Sequence, residues 1–247
     1  GKSAPIASDH PVVPVMEHVI ELHELYGALR AARSERGAID FETVETRILF
    51  DENRKIDQIV PVVRNDAHKL IEECMLAANV CAARFLEKHE LPALYRVHEG
   101  PREEKLENLR EFLGELGLSL PGQGKPKPES YQRLLQSIDG RNDSNLIQTV
   151  MLRSLSQAKY QPDNEGHFGL AYSAYAHFTS PIRRYPDLLV HRAIRHIVRS
   201  SVETKLVERV EGAGNLPKNK IYPYDTADML ALGCLLYTSD AADEEDS

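Results

Sequence analysis

The chain has 247 residues, 42% of them hydrophobic, enough to supply a real core in one large domain or two small ones. Three cysteines form no disulfide framework, no apolar run reaches membrane-spanning length, and no signal-peptide pattern opens the chain; membrane and secreted readings are weak and a reducing cytoplasm fits. The net charge of -8 argues against a uniformly basic nucleic-acid binder, but it is unevenly distributed. Asp240, Asp243, Glu244, Glu245 and Asp246 crowd one end, and without them 33 acids face 30 bases, so a locally basic channel in a mildly acidic body remains open.

In chain order, Val12, Val15, Val19, Leu22, Leu25 and Leu29 recur near helical spacing and predict an amphipathic helix from about His10 to Ser34, interrupted near Pro14. Two β-branched runs, 44–50 and 56–63, flank Asp51-Glu52-Asn53-Arg54 and predict a hairpin. A long helix is predicted from Asp66 to Lys88, burying a face that includes Leu70, Ile71, Cys74, Ala77, Ala78, Cys81 and Phe85. A strand at 94–97, a helix from Arg102 to Leu116 stopped by Gly117, and a Gly, Lys and Pro-rich loop at 121–128 come next. Helices over 130–137 and 144–159 lead into a strand-like run from Phe168 to Phe178. Pro and Gly punctuate 200–223, and no internal repeat appears, so the class is α+β.

The most informative run is 175–192, where Pro181 and Pro186 bracket Arg183 and Arg184. Thr179 or Ser180 can cap a short turn whose first position suits Pro181, and free amides at such a start favour an anion. Arginines placed there oppose the helix dipole unless a phosphate-like ligand sits between them and the amides. The alternative is a pair that tethers a carboxylate. Pro186 biases Tyr185 to extended geometry and starts a helix to about Ser200, with Asp187 in its first turn. Val190, Ala193, Ile194 and Ile197 form its apolar stripe; Arg192, Arg195, His196 and Arg199 share another face, either a solvated surface or a helix-based DNA-binding stripe.

None of the ten histidines sits in a zinc-type spacing, so His167, His177, His191 and His196 read as hydrogen-bonded structural groups or weak phosphate contacts. Gly122-Gln123-Gly124-Lys125 lacks the spacing of a phosphate-binding loop.

Three separated blocks carry a resemblance: Gly166-His167-Phe168-Gly169-Leu170 leading into His177-Phe178-Thr179-Ser180-Pro181-Ile182-Arg183-Arg184-Tyr185-Pro186-Asp187 with His191-Arg192; the run 64–79; and Ile221-Tyr222-Pro223-Tyr224-Asp225-Thr226-Ala227. Together they resemble the catalytic, RNB-type domain of the ribonuclease II and ribonuclease R family of exoribonucleases, most closely its bacterial ribonuclease R branch. The resemblance implies an α+β fold in which a mixed sheet packs with long helices. It implies a hydrolytic, processive 3′-to-5′ exoribonuclease that threads single-stranded RNA, not DNA, and releases nucleoside monophosphates with magnesium, as a monomeric cytoplasmic enzyme. A non-catalytic RNA-binding member of the same fold is the alternative.

Carried over by position, Arg183, and secondarily Arg184, match the arginine near the scissile phosphate. Glu72 or Glu73 matches a channel glutamate at the terminal nucleotides, and only one of two adjacent helical residues can serve. Phe41 aligns with the aromatic that stacks against the RNA end, with core packing as its alternative. Tyr185, His191 and Arg192 join them as RNA-binding candidates. The aspartate cluster that holds magnesium in the family has no counterpart, since Asp9, Asp51, Asp57 and Asp66 match no such motif. The chain starts at Gly1 and the likeness begins in mid-domain, so the expectation is a partial catalytic domain over 1–233, without the aspartate cluster or OB-type flanking domains, carrying half an active site. From Cys234 the likeness stops, and 234–247 resembles translated adapter sequence, expected to be non-native or disordered.

Overall fold

A computed structural model describes residues 13–41, 46–61, 64–122, 124–199 and 221–245, with side chains as far as 236. The expected helix start at 10–12, the outer ends of the two hairpin runs and most of the Pro- and Gly-punctuated stretch lie outside these residues. The chain divides into two compact units, residues 1–36 with 42–75, and residues 37–41 with 76–247.

In the first unit, Val13–Val15 form one 3₁₀ turn before α1, Met16–Arg36. Of the residues expected to form its apolar stripe, Val12 lies outside the described residues, Val19, Leu22 and Leu25 are exposed and Leu29 is only partly buried, and α1 buries no residue. Helical spacing predicts which residues share a face; burial of that face requires a partner surface. The hairpin forms as expected from β1, Thr46–Phe50, and β2, Ile56–Pro61, paired antiparallel. Asp51 closes its turn by accepting the amides of Asn53 and Lys55, both at 2.8 Å, an Asx turn that the sequence signals.

Helix α2 spans Asp66–Lys88, the expected bounds. Asn65 Oδ1 accepts the His68 amide and caps its start; at its end Glu90 takes φ 52° and the Leu91 amide bonds the Leu86 carbonyl, closing the last turn with a left-handed residue. The buried face differs from the expected one. Val80, Ala82, Ala83 and Leu86 go inward with Glu73 and Asn79, whereas Ile71 and Cys81 are exposed.

The second unit holds two cores. The first joins Ala83 and Leu86 of α2 to Leu94, Tyr95 and Val97, to Tyr160, and to Leu189, Val190, Ala193 and Ile197 of α6, Tyr185–Val198. All four stripe residues expected of α6 face this core, Ile194 partly. Strand β3, Tyr95–Val97, pairs antiparallel with β4, Lys159–Gln161, and a single parallel bridge links His98 to His167. The second core lies among α3, Glu103–Glu115, α4, Pro128–Ser137, and α5, Ser144–Ser154, where Leu106, Leu109, Leu113, Tyr131, Ile147 and Met151 are fully enclosed.

Two expectations give way here. Helix α5 stops at Ser154 because Leu155 turns extended and Lys105 Nζ takes the Arg153 and Leu155 carbonyls, which frees 159–161 to pair with β3. The run 168–178 forms no continuous strand, since Gly166 and Ala171 sit at positive φ and fold it into a tight loop.

The last helix, α7, runs Thr226–Glu245 and continues past Cys234 without a break. Gly233 lets it approach β4: a Cβ there would stand 2.6 Å from the Tyr160 carbonyl oxygen. Alanine normally favours a helix by about 1 kcal/mol over glycine. Gly233→Ala is nevertheless expected to destabilise by roughly 1–3 kcal/mol, the usual overpacking cost, because the obstacle is backbone. A melting temperature that rises in this variant would refute the α7–β4 approach.

Candidate nucleic-acid interface

The arginine turn is held from both sides. Its own backbone closes first, with the amides of Arg183 and Arg184 both on the Ser180 carbonyl at 3.2 and 3.0 Å. From α6, the buried Asp187 reaches back, its Oδ1 accepting the Ser180 amide at 2.7 Å and Arg184 Nη2 at 2.9 Å. From α2, Asn79 Oδ1 accepts the amides of Phe178 and Thr179, while Nδ2 donates to the Tyr175 hydroxyl at 2.9 Å.

This corrects the expected anion grip in one respect. The Ser180 amide is capped by Asp187, Thr179 Oγ1 has no partner among the described residues, and the arginine amides already have an acceptor. Any attraction for an anion at the arginine pair therefore comes from guanidinium side chains.

The two arginines differ. Arg184 tethers the buried Asp187 carboxylate, which was the structural alternative for the pair. Arg183 is exposed, next to a fully projecting Ile182 that is 98% accessible, and nothing among the described residues pairs with its guanidinium.

Around the turn, His191 Nε2 bonds the Phe178 carbonyl at 2.9 Å, and the two rings stack with centroids 4.3 Å apart. Arg192 Nε donates to the Ile221 carbonyl and Nη1 to the Tyr224 hydroxyl, with its guanidinium 5.3 Å from that ring. The exposed Tyr185 meets the same hydroxyl at 3.2 Å. Tyr185, Arg192 and Tyr224 thus form one chain of contacts beside Arg183, while Arg195, on the same helix, faces solvent.

In the first unit, Glu73 is buried and bonds Arg33 at 3.1 Å with Arg30 at 3.9 Å. Glu72 is half exposed and pairs with Arg64. Phe41, in the second unit, is half-buried against the core of α3 to α5.

Sequence reasoning missed Asn79 and the inward turn of Asp187. The available signal for Asn79 was its position in α2: it lies four residues before Ala83 and seven before Leu86, inside the apolar stripe. A polar side chain there must find hydrogen bonds. Among the described residues no group of three or more His, Cys, Asp or Glu side chains could hold a metal ion, and no helix is long and apolar enough to cross a membrane.

Beneath the turn, burial pushes His177 down to about 3, helped by the nearby Arg184, and its Nδ1 meets the Tyr160 hydroxyl at 2.7 Å. Burial, then the neighbouring His98, pushes His167 down to about 3 as well. Both rings are neutral in the folded protein, whereas an unfolded histidine titrates near ~6.5. The unfolded chain then binds more protons, so this stability is complete above pH ~6.5 and is lost as pH falls toward about 3. The melting temperature is expected to start falling below pH ~6.5, above the carboxylate range, and His177→Gln to flatten that upper part of the decline. A flat profile from pH 6.5 to 5 in the parent chain would contradict this.

Fold and site together define an α+β domain that presents a guanidinium on a proline-bracketed turn. Residues 3–200 match the RNB domain. The chain is 59% identical over 184 residues to ribonuclease R of Vibrio cholerae, covering 74% of this chain and 22% of that protein. It is 50% identical over 220 residues to ribonuclease R of Escherichia coli, covering 89% and 26%. Mycoplasma genitalium RNase R, solved in complex with ribose-methylated single-stranded RNA, matches with a TM-score of 0.70 at 30% identity, covering 77% of this chain and 30% of that chain. The chain belongs to the RNB-domain family, and it spans about a quarter of the length of the curated relatives it matches.

Proposed function

We propose that the intact protein is a hydrolytic, processive 3′-to-5′ exoribonuclease of the cytoplasm, acting as a monomer on single-stranded RNA and releasing nucleoside monophosphates. This chain supplies the part of its catalytic domain that grips the reacting phosphate. The observation that carries the reading is the exposed Arg183 guanidinium on a turn fixed by Asp187 and flanked by Asn79, within a chain half or more identical to proteins named ribonuclease R.

When water attacks the terminal phosphodiester, negative charge grows on the phosphoryl oxygens, and a guanidinium carried on a backbone turn that is itself fixed can stabilise it. Arg183 takes that role; Arg184 holds the turn. Tyr185, His191 and Arg192 form the flank along which the RNA end lies, and the Phe41 ring stacks on a terminal base. Of the glutamates, Glu72 has the accessible carboxylate, while Glu73 anchors α1 to α2.

Magnesium belongs to the proposal for the intact protein. No group of three or more His, Cys, Asp or Glu among the described residues could hold it, so the carboxylates that bind it lie outside them.

The intact protein is to be given 5′-labelled single-stranded oligoribonucleotide and magnesium. The expected result is conversion of full-length label to one short labelled end product without accumulation of intermediate lengths; this chain alone should convert none. Internal fragments at the first time point would overturn the reading.

A further inference from the structure

We infer that His98 is a positioning residue that sets the place of Phe41, and hence the length of RNA left when degradation stops; this rests on the stacking role proposed for Phe41. His98 lies at the end of β3 and is 9% exposed. Both ring nitrogens are engaged: Nδ1 accepts the Gly169 amide at 2.9 Å, and Nε2 meets the Ser156 carbonyl at 2.7 Å. A carbonyl can only accept and an amide can only donate, so the ring carries its proton on Nε2 and is neutral.

Gly169 sits in a tight turn. The Ala171 amide bonds the Phe168 carbonyl, and the Leu170 amide bonds His167 Nδ1 at 3.2 Å, so two imidazoles hold the two central amides. The Gly169 carbonyl in turn accepts the amide of Ile39 at 2.9 Å. Ile39 is the buried anchor of the strap 37–41 that ends in Phe41.

The other end of that strap is fixed by Gly37, at φ 78°, where a Cβ would fall 2.2 Å from Glu129 Cγ. Phe168 and Phe41 pack against the same core. The path from His98 through Gly169 and Ile39 to Phe41 is therefore continuous in hydrogen bonds and backbone.

Asparagine and glutamine separate the two bonds of the ring. Asparagine can place an oxygen where Nδ1 stands and keep the Gly169 amide; glutamine can place an N–H where Nε2 stands and keep only Ser156. In the intact enzyme, His98→Gln should lengthen the labelled end product as Phe41→Ala does. It should also raise KM about fivefold, the low end of one lost base stack, with kcat within about twofold. His98→Asn should melt earlier than the parent yet leave the parent end product.

Gly169→Ala tests the same contact from the other side, because its Cβ would lie 3.0 Å from His98 Nδ1; it too should lengthen the product, which keeps the test alive should His98→Gln not fold. Identical end products from the Asn and Gln variants would overturn the inference, as would a parental product from both His98→Gln and Gly169→Ala while Phe41→Ala lengthens it. If Phe41→Ala itself leaves the product unchanged, the stacking role falls first and this inference falls with it.

Discussion

Arg183→Ala in the intact enzyme is expected to lower kcat about a hundredfold or more, the typical loss of on the order of 3 kcal/mol for one electrostatic donor to the transition state. RNA affinity and melting temperature should stay near those of the parent. The side chain is exposed and pairs with nothing among the described residues, so its removal leaves no buried group unsatisfied. Its backbone hydrogen bond to Ser180 is unaffected by the substitution. Arg184→Ala should behave differently, because it strips the buried Asp187 of its cation and loosens the turn; it should lower both rate and melting temperature. Single-turnover rates, filter binding and a melting curve on the two variants separate these outcomes. Equal and mild rate losses with equal losses of stability would return both arginines to a structural role.

Asp187→Ala is expected to destabilise the domain by about 3 kcal/mol or more, the usual cost of breaking a buried ion pair from one side. Asp187 has no exposed surface and Arg184 is only 22% accessible, so the guanidinium left behind cannot be freely rehydrated. The Ser180 amide loses its acceptor in the same change. For a domain of this size the expected fall in melting temperature is roughly 6–12 °C. Asp187→Asn should fall between, since its oxygen can still accept the Ser180 amide while the charge pairing with Arg184 is gone. A double-mutant cycle with Arg184→Ala checks the assignment: the combined variant should be less destabilised than the sum of the singles, because removing both partners leaves no unpaired charge. Additive losses would mean that the two side chains do not stabilise one another.

Long elements were readable where local chemistry and burial agreed. The bounds of α2 follow from 23 residues without Gly or Pro, an Asn65 cap and a left-handed Glu90 at its end, all properties of nearby residues. The same holds for α6, started by Pro186 and carrying one apolar stripe. Where elements depend on distant partners, local reading was insufficient. Residues 159–161 form a strand only because β3 offers a free edge, and 168–178 bends because turn amides find acceptors on His98 and His167, the first of them about seventy residues earlier.

The candidate site divides along the same line. By itself the sequence determined the family resemblance, the α+β class, the proline-bracketed turn and the presence of two adjacent arginines, because these are written in residue types and short spacings. Only the tertiary structure decided which arginine is available. Arg183 and Arg184 are neighbours in the chain, but one projects into solvent and the other pairs with a carboxylate that α6 buries. It likewise set Glu73 inward and Glu72 outward, and made Asn79 a clamp on residues about a hundred positions away. The physical reason is that orientation and pairing depend on which surfaces exclude water around a side chain, and that exclusion is produced by segments far away in sequence.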